Sequence, residues 1–486
     1  MGSKDNIREF QILIDGAWCE GSAGKKLDVL NPATEEVTAR IQLCDALDVD
    51  RAARAAEKAF GGWKAKDPKS RAAVMHKGAA LVRERAEGLS RLLTAEMGKP
   101  LGDARKEIAD SAATLDFFAD EGVRVAGEVV PLGTHAATSL TVYEPVGVCA
   151  AIAPWNYPVS LLAWKIGPAL AAGCTLICKP ASETPTAALE FIRCLQETGL
   201  PPGVINAVTG PGSVVGTAMV EHPLVQRVAF TGTGSVGKDI MARAAGTLKR
   251  VSLELGGHSP LVVCADADLD KAVKAGVKRS FRNMGQICNA VNSIFVQRGI
   301  YEEYLRRFVE ETSKLTIGDG LLNPDVDLGP MLNQDGINKT VEHVRDAVAK
   351  GARLLYGGEP PSGPQYKSKL YFKPTVLADT TLDMLVMREE TFGPVVGIAP
   401  FDTIEDGIRL ANSTEFGLVS YAYTSSLANT RTLARGIQSG TVCINNIVGS
   451  TLEAPYPGWK SSGIGFELSR HALLEYLLVK HVRIEV

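Results

Sequence analysis

The chain has 486 residues, 45% of them apolar and 22% charged, with a formal net charge of -3. At the ~150 residues of a typical domain this length gives about three domains, and a composition so near the globular average excludes general disorder and fibrous repeats. Lysines and arginines are scattered rather than gathered into a basic stripe, which excludes a nucleic-acid partner.

The first residues, Met1 to Phe10, carry charges and no apolar run, so they do not read as a secretory signal. The nine cysteines are odd in number and form no C-x-x-C pair, which predicts a reducing, cytoplasmic location rather than a disulfide framework. The histidines are dispersed, and no metal site is predicted. From Lys69 to Ala126 apolar residues recur at three- and four-residue spacing, predicting amphipathic helices with a break at Gly98-Lys99-Pro100. Between Val146 and Cys178 the only charge is Lys165, yet Pro154, Pro158 and Pro168 divide the stretch into strand, loop and helix, and no membrane span is expected.

Short apolar runs at Val148 to Ala153, Cys174 to Cys178, Val204 to Val208 and Arg227 to Phe230 alternate with helical patterns, predicting a mostly parallel α/β sheet. A second α/β unit follows Pro260, with Leu261 to Cys264, Ser293 to Val296, a helix from Glu302 to Leu315 and Val419 to Thr424. Pro360 to Pro364 reads as a surface loop. Leu473 to Val486 alternates near its end as an edge strand does, a partner for the hairpin-like stretch from Gly127 to Tyr143.

Three places carry chemistry. Phe230 to Gly237 is a glycine-rich turn between a short strand and a helical run, suited either to cradling a phosphate on free N–H groups or simply to packing a helix on a strand. Cys288 lies in a polar, glycine-containing stretch, unlike Cys149, Cys174, Cys178 and Cys264, which sit in apolar runs as core filler. Glu254, flanked by leucines before Gly256-Gly257, is either a salt-bridged core residue or a general base with a raised pKa. A thiol hydrolase built on Cys288 would need a histidine partner; the nearest in sequence, His258, is expected at the surface.

Pro154 to Pro158, Lys179 to Ser182, Phe230 to Gly232, Leu253 to Gly257, Gly285 to Cys288 and Glu389 to Pro394 together resemble, in order and spacing, the aldehyde dehydrogenase superfamily over almost the entire chain, nearest its succinate-semialdehyde branch. The resemblance implies an α/β fold: a Rossmann-like cofactor-binding domain at 1–126 and 146–256, a catalytic α/β domain at 257–455, and a β arm at 127–145 and 466–486 that joins subunits into a homodimer or homotetramer. It implies Cys288 as the nucleophile, Asn156 as an oxyanion donor and Glu254 as the base that activates water. Trp155, Lys179, Ser182, Gly212, Phe230 and Thr231 are implied to serve the NAD or NADP site, with Gly232, Thr233, Gly237, Leu255, Glu390 and Phe392.

Ser182 stands where NAD-specific members often carry Glu, so repulsion of a 2′-phosphate is absent while Lys179 remains to attract it; NADP is expected to be accepted. For the aldehyde, the resemblance implies a clamp by Arg282 and Ser450, while Trp164 replaces a second clamping arginine. The expected substrate is a small aldehyde with an anionic or polar head: a semialdehyde, a sulfonated aldehyde or lactaldehyde. The bare residues of Arg282 also suit a structural ion pair. Rival readings are a coenzyme-A-acylating dehydrogenase, disfavoured by the presence of Glu254, and an inactive binding scaffold, disfavoured by Cys288, Asn156, Glu254 and Glu390 occurring together.

Overall fold

The computed structural model describes residues 7–133 and 137–485. Residues 1–6 of the expected cofactor-binding segment, and 134–136 and Val486 of the expected arm, lie outside the described residues.

The helical region begins earlier than the periodicity suggests. Asp45 caps the helix Ala46–Ala65, accepting from the Leu47 and Asp48 N–H groups, and the Asp48 carboxylate returns a bond to the Asp45 N–H. Helices Pro68–Glu84, Ala86–Met97 and Leu101–Val123 follow. The break expected at Gly98-Lys99-Pro100 is where Gly98 turns left-handed (φ 83°) and Pro100 starts the next helix.

Five parallel strands form the centre of an eight-stranded sheet, in the order Arg250–Glu254, Val225–Thr231, Val148–Ile152, Thr175–Lys179, Ile205–Ala207. The chain winds one way from Val148–Ile152 and the other way from Val225–Thr231, so a topological switch point falls between these neighbours. In doubly wound sheets the crevice outside the carboxyl ends of such strands takes the ligand. Helix Pro158–Ala172 packs between this sheet and Leu101–Val123, and it is buried along nearly its whole length because apolar residues cover every face. Among the described residues no helix is long and apolar enough to cross a membrane.

The second sheet has seven strands, ordered Arg353–Tyr356, Thr375–Ala378, Val395–Phe401, Val291–Gln297, Ser259–Val263, Val419–Tyr423, Thr441–Ile444, all parallel except the first pair. The expected helix from Glu302 runs Tyr301–Thr312 and stops short of Leu315. In the third sheet the C-terminal strand Leu477–Glu485 lies antiparallel along all of Ala137–Pro145, with Glu128–Val129 on the other edge.

Candidate active site

Cys288 follows a backbone that few sequences tolerate. Asn283 (φ 52°), Met284 (φ 58°) and Gly285 (φ 69°) are left-handed in succession, an arrangement that costs about 1–3 kcal/mol per non-glycine residue and persists only where the surroundings hold it. Gln286 does the holding. Its amide donates to the Asn283 carbonyl at 3.1 Å, and its side-chain oxygen accepts from the Leu332 N–H at 3.0 Å. Two close approaches explain the glycines nearby: a Cβ on Gly285 would strike the Gly393 carbonyl, and one on Gly257 would strike the carbonyl of Cys288 itself.

The thiol sits between two cavities. One, of about 300 Å³, is lined by Trp164, Arg282 and Ser450. The other, of about 340 Å³, lies at the switch point and is lined by Trp155, Thr231, Gly232, Thr233, Glu254, Leu255, Glu390 and Phe392. Cys288 and Asn156 line both. Asn156 is buried and its amide donates to the Gln286 carbonyl at 3.0 Å, so it is aimed at the loop that carries Cys288.

Sequence reasoning missed what holds Asn156. The Asn156 carbonyl accepts from the Lys99 ammonium at 2.7 Å. Lys99 is fully buried, pairs with Glu107 and lies 3.7 Å from the Tyr157 ring centre. The other Glu107 oxygen accepts from the Val159 and Ser160 N–H groups, which helix Pro158–Ala172 leaves free at its start. The available signal was a carboxylate among Ala104, Ile108 and Ser111 on the apolar face of its helix. Lys99→Met leaves the Glu107 charge buried beside neutral groups and is expected to lower stability by about 3–5 kcal/mol, read by chemical denaturation.

Glu254 is buried, and neither carboxylate oxygen has a hydrogen-bond partner among the described residues. Burial pushes its carboxyl up to about 7, against the pull of the Cys288 thiol and the nearby Lys165 ammonium. Lys165 is buried too, donating to the Thr231 hydroxyl at 2.7 Å and to Glu467 at 3.0 Å. Burial, and then the charge of Glu254, hold the Cys288 thiol well above its ordinary range. Tyr456 opposes this. Its oxygen lies 3.7 Å from the Cys288 sulfur and accepts from the Asn289 amide at 2.9 Å, leaving its own O–H to point at the sulfur.

In the second cavity Trp155 and Phe392 form an edge-to-face wall with centroids 5.3 Å apart. Glu390 accepts from the Gly257 N–H at 3.0 Å, and burial pushes its carboxyl up to about 7. Thr233 precedes helix Gly234–Ala245 without capping it by a side chain, so the first N–H groups stay open. Phe230 and Gly237 do not line the cavity: Phe230 packs under Gly232, and Gly237 admits Leu255 against the helix. Lys179, Ser182 and Gly212 also lie outside it. Lys179 is buried at the end of the next strand, the Ser182 hydroxyl donates to the Gly210 carbonyl at 2.9 Å, and Gly212 is exposed at the start of the π-helical segment Gly212–Gly216.

Arg282 lines the first cavity and makes the ion pair that its bare residues also suited, with Asp103 at 2.8 Å. One expectation needs correction. His258 is not at the surface: it is buried, with Nε2 2.9 Å from the Val386 carbonyl.

A thiol with a small cavity on one side and a crevice at a sheet's switch point on the other sets a reactive group beside a place for a ligand. The profile of the aldehyde dehydrogenase family matches residues 18–482, and the chain belongs to that family, oxidoreductases acting on an aldehyde group. It is 40% identical to 3-sulfolactaldehyde dehydrogenase of Pseudomonas putida, over 98% of this chain and 97% of that one. It is 39% identical to succinate-semialdehyde dehydrogenase [NADP(+)] of Escherichia coli, over 98% of each chain. Among solved structures, lactaldehyde dehydrogenase from Escherichia coli superimposes with a TM-score of 0.96 at 37% identity, covering 99% of this chain and 100% of that one.

Proposed function

We propose that this enzyme oxidises a small aldehyde with an anionic or polar head to its carboxylic acid, using NADP or NAD, through a thioester on Cys288. The observation that carries the reading is the placement of Cys288 and Asn156 on both cavities, with the unpartnered Glu254 on the crevice side.

The Cys288 thiolate adds to the aldehyde carbon, giving a thiohemiacetal whose oxyanion takes hydrogen bonds from the Asn156 amide and the Cys288 N–H. A nicotinamide held against the Trp155–Phe392 wall would supply the hydride acceptor, and Cys288 would keep the acyl group as a thioester. Glu254 then takes a proton from water, which attacks the thioester, releasing the acid and the thiolate. The crevice fits a dinucleotide: open helix N–H groups at Gly234 suit a pyrophosphate, the Trp155–Phe392 wall suits a flat ring, and Glu390 suits ribose hydroxyls. The test is reduced-cofactor absorbance over an aldehyde panel, with and without coenzyme A. Coenzyme-A-independent reduction supports the reading, and reduction that requires coenzyme A refutes it.

Lys179 makes no ion pair among the described residues and Ser182 is neutral, which supports acceptance of a 2′-phosphate even though the Glu183 carboxylate is near enough to act on Lys179. The NADP-dependent relative in Escherichia coli points the same way. NADP is expected to be used with a KM less than a thousandfold above that for NAD, a limit of about 4 kcal/mol, checked by steady-state kinetics with each.

The same reading makes the three-stranded sheet the contact of a homodimer or homotetramer. Val129 and Val479 are 74% and 64% exposed there, apolar surface that a partner would cover.

A further inference from the structure

Charge bookkeeping in the substrate-side cavity leaves one buried cation over. Lys106 is paired with Asp110, Arg282 with Asp103, and Glu107 with Lys99. Lys278 has no carboxylate partner among the described residues, but it is exposed at the rim, where water screens it. Arg279 is different: it lines the cavity, is only 9% exposed, and no carboxylate among the described residues lies within ion-pair distance.

Its hydrogen-bond partners among the described residues are all neutral. Nε donates to the Tyr421 hydroxyl at 2.8 Å and to the Asn289 carbonyl at 3.2 Å, and one terminal nitrogen donates to the Asn289 side-chain oxygen. The remaining terminal nitrogen, Nη1, has no partner among the described residues. A desolvated guanidinium without a counter-charge is unfavourable in an empty site and becomes favourable once an anion arrives. The wiring also fixes where that anion sits relative to the chemistry. Asn289 takes a bond from Arg279 and gives one to Tyr456, whose hydroxyl faces the Cys288 sulfur.

We infer that Arg279 is the specificity-determining residue that binds the anionic head of the aldehyde, a carboxylate or sulfonate, at a set distance from Cys288. The inference rests on the proposed aldehyde oxidation. It moves the main charge contact from Arg282, already matched by Asp103, to a residue one helical turn earlier.

The test compares succinic semialdehyde, 3-oxopropane-1-sulfonate and uncharged butanal as substrates of the native enzyme, Arg279→Gln and Arg282→Gln. In Arg279→Gln, kcat/KM is expected to fall for one or both anions by about 10²-fold more than for butanal, and the anion that loses more identifies the head group. Equal losses for all three substrates would mean a merely structural arginine and overturn the inference, as would a larger selective loss in Arg282→Gln. Should Arg279→Gln not fold, protection of Cys288 from iodoacetamide by succinate in the half-exposed Arg282→Gln variant decides. Retained protection supports Arg279, and lost protection overturns it. Failure of the native enzyme to oxidise butanal or either anion would instead count against the proposed reaction itself.

Discussion

Replacing Cys288 with alanine is expected to abolish aldehyde-dependent cofactor reduction, lowering kcat/KM by at least about 10⁴-fold while cofactor binding survives. No neighbour can take its place. Cys149, Cys174, Cys178 and Cys264 are buried in or beside strands, away from either cavity, and burial holds the Tyr456 phenol well above its usual range. The crevice that suits the dinucleotide draws its other walls from Trp155, Thr233, Glu390 and Phe392, so binding followed by fluorescence quenching should change little. Because burial and Glu254 both oppose the thiolate, iodoacetamide should alkylate Cys288 slowly at neutral pH and faster as pH rises. Appreciable turnover in the alanine variant would remove the covalent mechanism.

The bare residues marked Cys288 as the odd cysteine and left Glu254 open between a core residue and a base; the roles of Cys288, Asn156 and Glu254 came from the resemblance of whole motifs, and the fold brings the three to one cavity. The alternating runs likewise predicted both sheets, since parallel strands buried on both faces read as continuous apolar stretches. What stayed hidden depends on distant partners. Nothing local says that Arg282 meets Asp103, that Lys99 reaches the Asn156 carbonyl, or that Tyr456 leans on the nucleophile. His258 was misplaced for the same reason: its burial is fixed by the Val386 carbonyl on a segment far along the chain. The first strands, such as Arg8–Phe10 and Lys25–Leu30, are short or mostly exposed and give no alternation to read, and the helix Ala46–Ala65 buries mainly small alanines, Ala52, Ala53, Ala55 and Ala56, which mark its apolar face weakly.

Glu254→Gln is expected to separate the two halves of the reaction. A carboxyl pushed up to about 7 beside a thiol held high means that, around neutral pH, the pair does not carry two negative charges. Once sulfur is acylated the thiol proton is gone and burial dominates the carboxyl, so Glu254 ionises only as pH rises, and in that form it can take a proton from water. Glutamine keeps the shape, removes the repulsion that raises the thiol, and cannot accept the proton. Acylation should therefore survive, visible as a burst of reduced cofactor close to one equivalent per active site, while steady-state turnover falls by about 10²–10⁴-fold. The sign of the pH dependence follows. Hydrolysis needs the ionised carboxylate, so in the native enzyme the deacylation rate should rise with pH through a midpoint well above the ordinary carboxylate range and level off beyond it, a limb that the glutamine variant lacks. A variant that shows neither burst nor steady turnover would assign Glu254 to deprotonating Cys288 instead, because the same unpartnered carboxylate beside the same thiol would then be acting before the thioester forms.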